Sequence, residues 1–135
     1  MENLLEWKEE YAMGFEQIDS QHRKIFNIIN NLNAALKEQH GKDVIADTLN
    51  ELVQYADYHF KYEEVMFAEF HYEGSVEHIA EHNAYCEKMA RFILENKETN
   101  TLPYRVLDFL IEWWTDHITG SDREYIQCFK EHGVK

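Results

Sequence analysis

Apolar residues recur at the spacing of an α-helix in four segments of this sequence, and this periodicity constrains the fold more than any other feature. The segments run from about Asp19 to Gln39, from Asp43 to Phe70, from Ser75 to near Lys97, and from Pro103 through Trp114. Only one proline and five glycines interrupt 135 residues, which favours long helices over many short strands. We therefore predict an all-α protein.

Residues at the ends of these segments support the helix boundaries. Asp19 is expected to cap the first helix with its side chain, and Gly41 lies just past its end. After a break at Gly74, Ser75 is expected to cap the third helix, and Pro103 suits the first turn of the fourth. Because the connections are short, we predict an up-down-up-down antiparallel four-helix bundle.

The residues before the first helix form an N-terminal arm, 1–18, ahead of the bundle formed by 19–135. Trp7, Tyr11, Phe15 and Ile18 give this arm apolar anchors, so we expect it to pack on the bundle. A chain of 135 residues suggests a single domain, 1–135.

The charge and the cysteines restrict the partners and the compartment. A formal net charge of -13 argues against nucleic acid and against an anionic membrane surface. No signal peptide and no apolar stretch of membrane-spanning length is found. Cys86 and Cys128 are scattered, which suits a reducing compartment, and Cys86 is expected to be an inert core thiol. From these features we expect a cytoplasmic protein. We also expect a monomer, since the surface is acidic and no second apolar stripe is evident.

Five histidines and two carboxylates fall on the inward faces of the predicted helices. His22 precedes apolar residues of the first helix by three, four and seven positions. His59 and Glu63 lie at i and i+4 on the second helix, as do His78 and His82 on the third, and such pairs share one helix face. The candidate metal ligands are His22, His59, Glu63, His78, His82, His117 and Asp122.

Each feature alone has an ordinary explanation. A single inward histidine such as His22 is usually a satisfied core residue, and a histidine pair on one helix face is often a surface coincidence. The ordinary explanations fail together, because burying several unpaired imidazoles and carboxylates is costly and a metal centre removes that cost. His40, His71 and His132 fall in predicted loops or near the end of the sequence, and we expect them to be exposed and without a role.

The donor types restrict the metal. Imidazole and carboxylate without thiolate suit iron, copper, nickel or zinc. Seven donors are too many for one such ion, so two ions bridged by carboxylates use them best. No glutamate stands three residues before any histidine, which excludes the Glu-x-x-His pattern of ferritin-like di-iron bundles.

As a set, these residues resemble the hemerythrin family in its bacterial single-domain form. The resemblance covers nearly the whole chain through "IDSQH" (18–22), "HFKYEEVMF" (59–67), "HIAEH" (78–82) and "HITGSD" (117–122). The opening segment, with Trp7, Tyr11 and Gly14, is also similar to that of the family.

The resemblance implies reversible binding of dioxygen at a non-haem di-iron centre, for oxygen storage, transport or scavenging, and no catalytic residues. In that reading His78, His82 and His117 hold one iron ion (Fe²⁺/Fe³⁺), and His22 and His59 hold the other. Glu63 and Asp122 bridge the two ions together with an oxo or hydroxo group. Alternatives are an oxygen sensor that acts through a separate partner, an enzyme that reduces peroxide or nitric oxide, and, more weakly, an iron store.

Two details of the fourth helix carry further predictions. The family commonly has an aliphatic residue three positions before the fourth-helix histidine, where this chain has Trp114, which predicts a narrower oxygen pocket. His117 and Asp122 are five apart, so on a regular helix they would diverge by about 140°. We therefore expect a π-type widening at Gly120 that brings Asp122 to the site.

Overall fold

Four long helices make up most of the molecule. The computed structural model describes residues 5–38, 42–95 and 102–135. Its long helices are α1 (Glu16–Lys37), α2 (Lys42–Glu69), α3 (Ser75–Glu95) and α4 (Leu102–Thr119), followed by a 3-10 turn, Ser121–Tyr125, and the short helix α5 (Ile126–Glu131). Helices α1 and α3 each pack against both α2 and α4, and no strand occurs in these ranges. The predicted all-α antiparallel four-helix bundle is confirmed.

Helix α1 begins at Glu16, so the prediction that Asp19 caps it is wrong. The residue before the helix is Phe15, which makes no side-chain cap. The Asp19 carboxylate instead accepts the backbone N–H groups of Met13 at 2.9 Å and Gly14 at 3.2 Å. Gly14 has a φ of 90°, a left-handed conformation that only glycine adopts without strain. Asp19 thus ties the arm to α1 from inside the helix.

The other predicted boundaries hold in part. Helix α3 starts at Ser75, which stands inside the helix rather than before it, and Pro103 lies in the first turn of α4. Three predictions lie outside the described residues: Gly41 past the end of α1, the end of α3 near Lys97, and the polar connection 98–101.

The arm packs on the bundle, as predicted. The ring of Tyr11 lies 5.1 Å from that of Phe26 on α1, and the ring of Phe15 lies 5.8 Å from that of Phe129 on α5. Phe15 and Ile18 are fully buried, whereas Trp7 is half-buried. These contacts give the arm a fixed place on the bundle, since each buries apolar surface.

The buried apolar residues form two separate clusters, one on each side of a polar layer. The larger cluster contains Ile25 and Phe60, and the smaller contains Ile18 and Phe67. His22 lies between Ile18 and Ile25 on α1, as Glu63 does between Phe60 and Phe67 on α2. The polar layer therefore has apolar side chains on both sides along the bundle.

Neither cysteine lies in the fully buried core. Cys86 is half-buried at the edge of the larger cluster, so the expectation of a core position is wrong, although burial does raise the pKa of its thiol. Cys86 and Cys128 are both free thiols. Among the described residues, no helix combines the length and the apolar character needed to cross a membrane.

Candidate metal centre

All seven predicted ligands meet in the polar layer, and each has at most 3% of its surface exposed. His22 comes from α1, His59 and Glu63 from α2, His78 and His82 from α3, His117 from α4, and Asp122 from the 3-10 turn. They form two overlapping groups: Glu63, His78, His82, His117 and Asp122, and His22, His59, Glu63 and Asp122. Within each group the potential ligand atoms lie within 4.8 Å of one another.

The carboxylate of Asp122 reaches both groups. Its Oδ1 lies 2.9 Å from Nε2 of His78 and 3.0 Å from Nε2 of His117. Its Oδ2 lies 3.1 Å from Nε2 of His22. One oxygen therefore faces the group with three histidines and the other faces the group with two.

Glu63 is placed in the same way. Its Oε1 lies 3.2 Å from Nε2 of His82 and 3.6 Å from Nε2 of His78. Its Oε2 lies 3.5 Å from Nε2 of His59. Two carboxylates that each span two sets of imidazoles suit a pair of cations.

Several of these buried atoms have no hydrogen-bond partner. They are Glu63 Oε1, Nε2 of His78, His82 and His117, and both oxygens of Asp122. Buried polar atoms are nearly always satisfied, and leaving them unpaired costs about 1–3 kcal/mol each. Because these atoms face one another across a short gap, metal ions between them would satisfy the whole set. The donor set, imidazole nitrogens and carboxylate oxygens, fits iron among other transition metals.

Two polar side chains orient histidines from outside the cluster. Nδ1 of His59 lies 2.6 Å from Oε1 of Gln21, and Nδ1 of His82 lies 2.8 Å from Oε2 of Glu64. With the proton on Nδ1 as donor, Nε2 keeps its lone pair free for a metal. Sequence reasoning missed Gln21 and Glu64, because each is a polar residue next to a predicted ligand and no periodic signal sets it apart.

A third missed residue is Tyr125, which follows the predicted ligand Asp122 by three positions. Its hydroxyl donates to Oε2 of Glu63 at 2.5 Å, and its side chain is fully buried. Burial and the charge of Glu63 raise the pKa of Tyr125 well above its usual range, so the phenol stays protonated and remains a donor. The signal that could have found it is an aromatic residue one helical turn beyond a ligand.

Proton equilibria in the cluster differ from residue to residue. Burial lowers the pKa of His59 to about 4, so this imidazole is neutral at physiological pH. Burial opposes charge on His78 as well, but Asp122 and Glu63 outweigh it and raise the pKa of His78 to about 10. Burial likewise favours neutral carboxyls, yet the surrounding histidines hold the pKa of both Glu63 and Asp122 below the usual range. Without a metal ion, protons therefore balance part of the carboxylate charge.

The backbone after His117 tightens rather than widens, so the expected π-type turn is wrong. Helix α4 ends at Thr119, and after Gly120 the five residues Ser121–Tyr125 form a 3-10 turn. Gly120 joins them with φ -110° and ψ -92°, and a Cβ at this position would lie 2.8 Å from the carbonyl oxygen of Asp116. Glycine is therefore required here. The change of path brings the Asp122 carboxylate to 3.0 Å from His117.

Of the three histidines expected to be exposed and without a role, the two that the structure describes lie outside the cluster. His71 is exposed. His132 is also exposed and stacks on Phe70 at 4.4 Å. Its ring contacts the carbonyl oxygen of Cys128 and makes no hydrogen bond to the seven candidate ligands. His40 lies outside the described ranges.

Large apolar side chains of the larger apolar cluster pack against the seven candidate ligands. Trp114 is fully buried, its ring lies 6.0 Å from that of His59, and it donates a hydrogen bond to the hydroxyl of Tyr85 at 3.0 Å. Phe60 stacks on His82 at 3.8 Å, and Ile118 is fully buried. These residues place apolar surface against the rings of His59 and His82.

The fold and this cluster define the class of protein: a four-helix bundle with a buried histidine–carboxylate site for cations. The family model described as the hemerythrin HHE cation binding domain matches residues 13–129, a range that contains all seven residues. The chain belongs to the hemerythrin family.

Relatives with known names agree with this assignment. The chain is 35% identical to a bacteriohemerythrin of Clostridium acetobutylicum, over 89% of this chain and 97% of that protein. It is 27% identical to a bacteriohemerythrin of Stenotrophomonas maltophilia, over 96% of this chain and 84% of that protein. A crystal structure of wild-type hemerythrin superposes with a TM-score of 0.82 at 27% identity, covering 93% of this chain and 97% of that chain.

Proposed function

We propose that this protein binds dioxygen reversibly at a non-haem di-iron centre. The observation that carries the proposal is the placement of Glu63 and Asp122, each with one oxygen beside either histidine group. Membership of the hemerythrin family and the names of its relatives support iron and dioxygen as the ligands. When bound, a pair of iron ions supplies two electrons to dioxygen and recovers them on release.

In this proposal the seven residues would serve as ligands to two iron ions that share an oxo or hydroxo group. His78, His82 and His117 would hold one ion, and His22 and His59 would hold the other. Glu63 and Asp122, each with one oxygen beside either histidine group, would hold both ions and balance their charge. Because the second group has one histidine fewer, its ion would have fewer protein donors and would offer the position for dioxygen.

The remaining residues protect and position this set. A carrier must return dioxygen unchanged, so water and protons have to be kept from the site. Trp114, Phe60 and Ile118 supply a buried apolar wall. Gln21 and Glu64 fix the rings of His59 and His82, and Tyr125 holds Glu63 through its hydroxyl.

Metal analysis combined with an optical spectrum tests this function directly. We expect two iron ions per chain and, after anaerobic reduction and exposure to air, a visible charge-transfer band that disappears when oxygen is removed. One zinc ion per chain would overturn the di-iron assignment. Two iron ions without a reversible band would leave the centre in place and overturn oxygen carriage.

We propose a binding protein rather than an enzyme, supported by the names of the relatives. Turnover of peroxide or nitric oxide with a reductant, faster than that of free iron, would contradict this. We also propose one domain, 1–135, acting as a cytoplasmic monomer. Light scattering coupled to size-exclusion chromatography would test the monomer, with a mass near 16.2 kDa expected.

A further inference from the structure

A surface cavity of about 320 Å³ lies directly outside the metal centre, between α3 and α4. Its lining is Glu81, Phe109, Glu112, Trp113, Asp116 and His117. The three carboxylates in this lining are exposed, and no lysine or arginine is among the lining residues. The described part of the chain gives Glu112 and Asp116 no basic partner. The cavity therefore concentrates negative charge in a concave surface.

His117 joins this cavity to the buried cluster through the two nitrogens of one ring. Its Nε2 faces Oδ1 of Asp122 at 3.0 Å inside the cluster. Its Nδ1 has no hydrogen-bond partner, and the nearest carboxylate oxygen, Oε1 of Glu81, is 3.7 Å away on the cavity side. The side chain of His117 is only 2% exposed, so a buried and unpartnered nitrogen stands at the floor of an acidic cavity.

Trp113 forms the other boundary between the cavity and the centre. Its ring is half-buried and stacks on His117 at 4.3 Å with an angle of 18° between the planes. A cation held by the carboxylates would thus lie next to one aromatic ring and one imidazole, since Trp113 and His117 both line the cavity.

We propose that this acidic cavity is the loading site of the centre, where Fe²⁺ is held by Glu81, Glu112 and Asp116 before it passes His117 to the buried donors. Carboxylate oxygens accept a hydrated divalent cation readily, and a concave acidic surface raises the local cation concentration and the association rate. The proposal rests on the proposed function, since it requires a metal centre behind His117. No bond is made or broken beyond exchange of metal ligands.

The test is the rate at which metal-free protein takes up Fe²⁺ under anaerobic conditions. In Glu112→Gln/Asp116→Asn, which leaves Glu81 and His117 intact, we expect uptake about tenfold slower at low ionic strength. The difference should shrink in high salt, because salt screens exposed charges. The control variant Glu9→Gln/Glu16→Gln removes two exposed acids that do not line the cavity, and it should load at nearly the wild-type rate.

The end point of the same experiment separates the two proposals. If the wild type ends with fewer than two iron ions per chain, the proposed function fails. If all three proteins reach two ions at one rate, or if the control is slowed as much as the cavity variant, the loading site alone is overturned.

Terbium luminescence gives an independent measurement on iron-loaded protein, whose buried centre is already filled. Tb³⁺ bound in the cavity would lie beside Trp113, so excitation of tryptophan should produce sensitised Tb³⁺ emission. We expect this emission in the wild type and in the control variant, and its loss in Glu112→Gln/Asp116→Asn. Equal emission from all three proteins would contradict a cation site in this cavity.

Discussion

The hydroxyl of Tyr125 lies 2.5 Å from Oε2 of Glu63, and both side chains are fully buried. This bond joins the C-terminal 3-10 turn to α2 at a carboxylate that also faces His59. Tyr125 therefore sets the orientation of a proposed bridging ligand without being a ligand itself.

Replacing Tyr125 with phenylalanine should weaken metal binding. The ring and its stacking on Phe129 at 4.2 Å are retained, whereas Oε2 of Glu63 loses the hydroxyl that donates to it. Loss of a bond that orients a ligand reduces metal affinity about ten- to a hundredfold. Competition with a chelator measures this affinity. Tyr72→Phe, at a half-buried ring that makes no bond to Glu63, is the matched control, and equal affinities in both variants would contradict the role of Tyr125.

Removing a single histidine should distinguish ligands from bystanders. His59→Ala and His82→Ala each delete a donor from one of the two groups, so both variants should lose iron. His71→Ala changes an exposed residue outside both groups and should keep the full complement. Iron per chain after desalting is the measurement. Full iron content in either cluster variant would exclude that histidine as a required ligand.

Metal affinity should rise with pH well beyond the ordinary range of histidine. In metal-free protein the pKa of His78 is raised to about 10, so at pH 8 this imidazole holds a proton that a metal must displace. Raising the pH removes the competing proton, and the apparent affinity should grow about tenfold per pH unit for each proton released. His59, with its pKa lowered to about 4, adds no such competition. Titration with Fe²⁺ between pH 7 and 9 would measure the slope, and a flat profile would contradict it.

Trp114→Leu should destabilise the protein and expose the centre. Trp114 is fully buried against His59 and Phe60, and its Nε1 is bonded to Tyr85. The substitution leaves a cavity and should cost about 3 kcal/mol of unfolding free energy. Water admitted to that cavity should speed the oxidation of reduced iron in air. Trp7→Leu, in the half-buried arm, is the control for loss of a tryptophan and should leave the oxidation rate unchanged.

Helical periodicity was sufficient to predict the fold and the inward direction of the histidines. The stripes of α1 to α4 run unbroken over several turns, and each places its histidine among residues that are buried in the structure. Prediction failed at the ends of helices. Asp19 is a residue type that is common at helix N-caps, but its carboxylate accepts the backbone N–H groups of Met13 and Gly14 in the arm. This arrangement depends on the left-handed φ of Gly14 and on how the arm packs, which spacing along the sequence does not reveal.

The supporting residues of the site were less accessible to sequence reasoning. Gln21 and Glu64 reach His59 and His82 on other helices, so their role depends on how the helices pack and not on any spacing along the chain. For Asp122 the sequence indicated that the helix is distorted at Gly120, but not whether the backbone widens or tightens there. A widened turn and a tightened turn can each change the direction of the Asp122 side chain relative to His117. Which of the two forms depends on the contacts of the residues that follow.

The tight turn at Gly120 also bears on how the protein is made. Asp122 is the last of the seven predicted ligands in chain order, and it takes its place only after α4 has ended and the chain has changed direction. While the polypeptide emerges from the ribosome, the five histidines and Glu63 are made before Asp122, which is one of the two carboxylates proposed to hold both ions. A nascent chain therefore lacks one of the seven proposed ligands until all four helices and the turn after α4 have been synthesised.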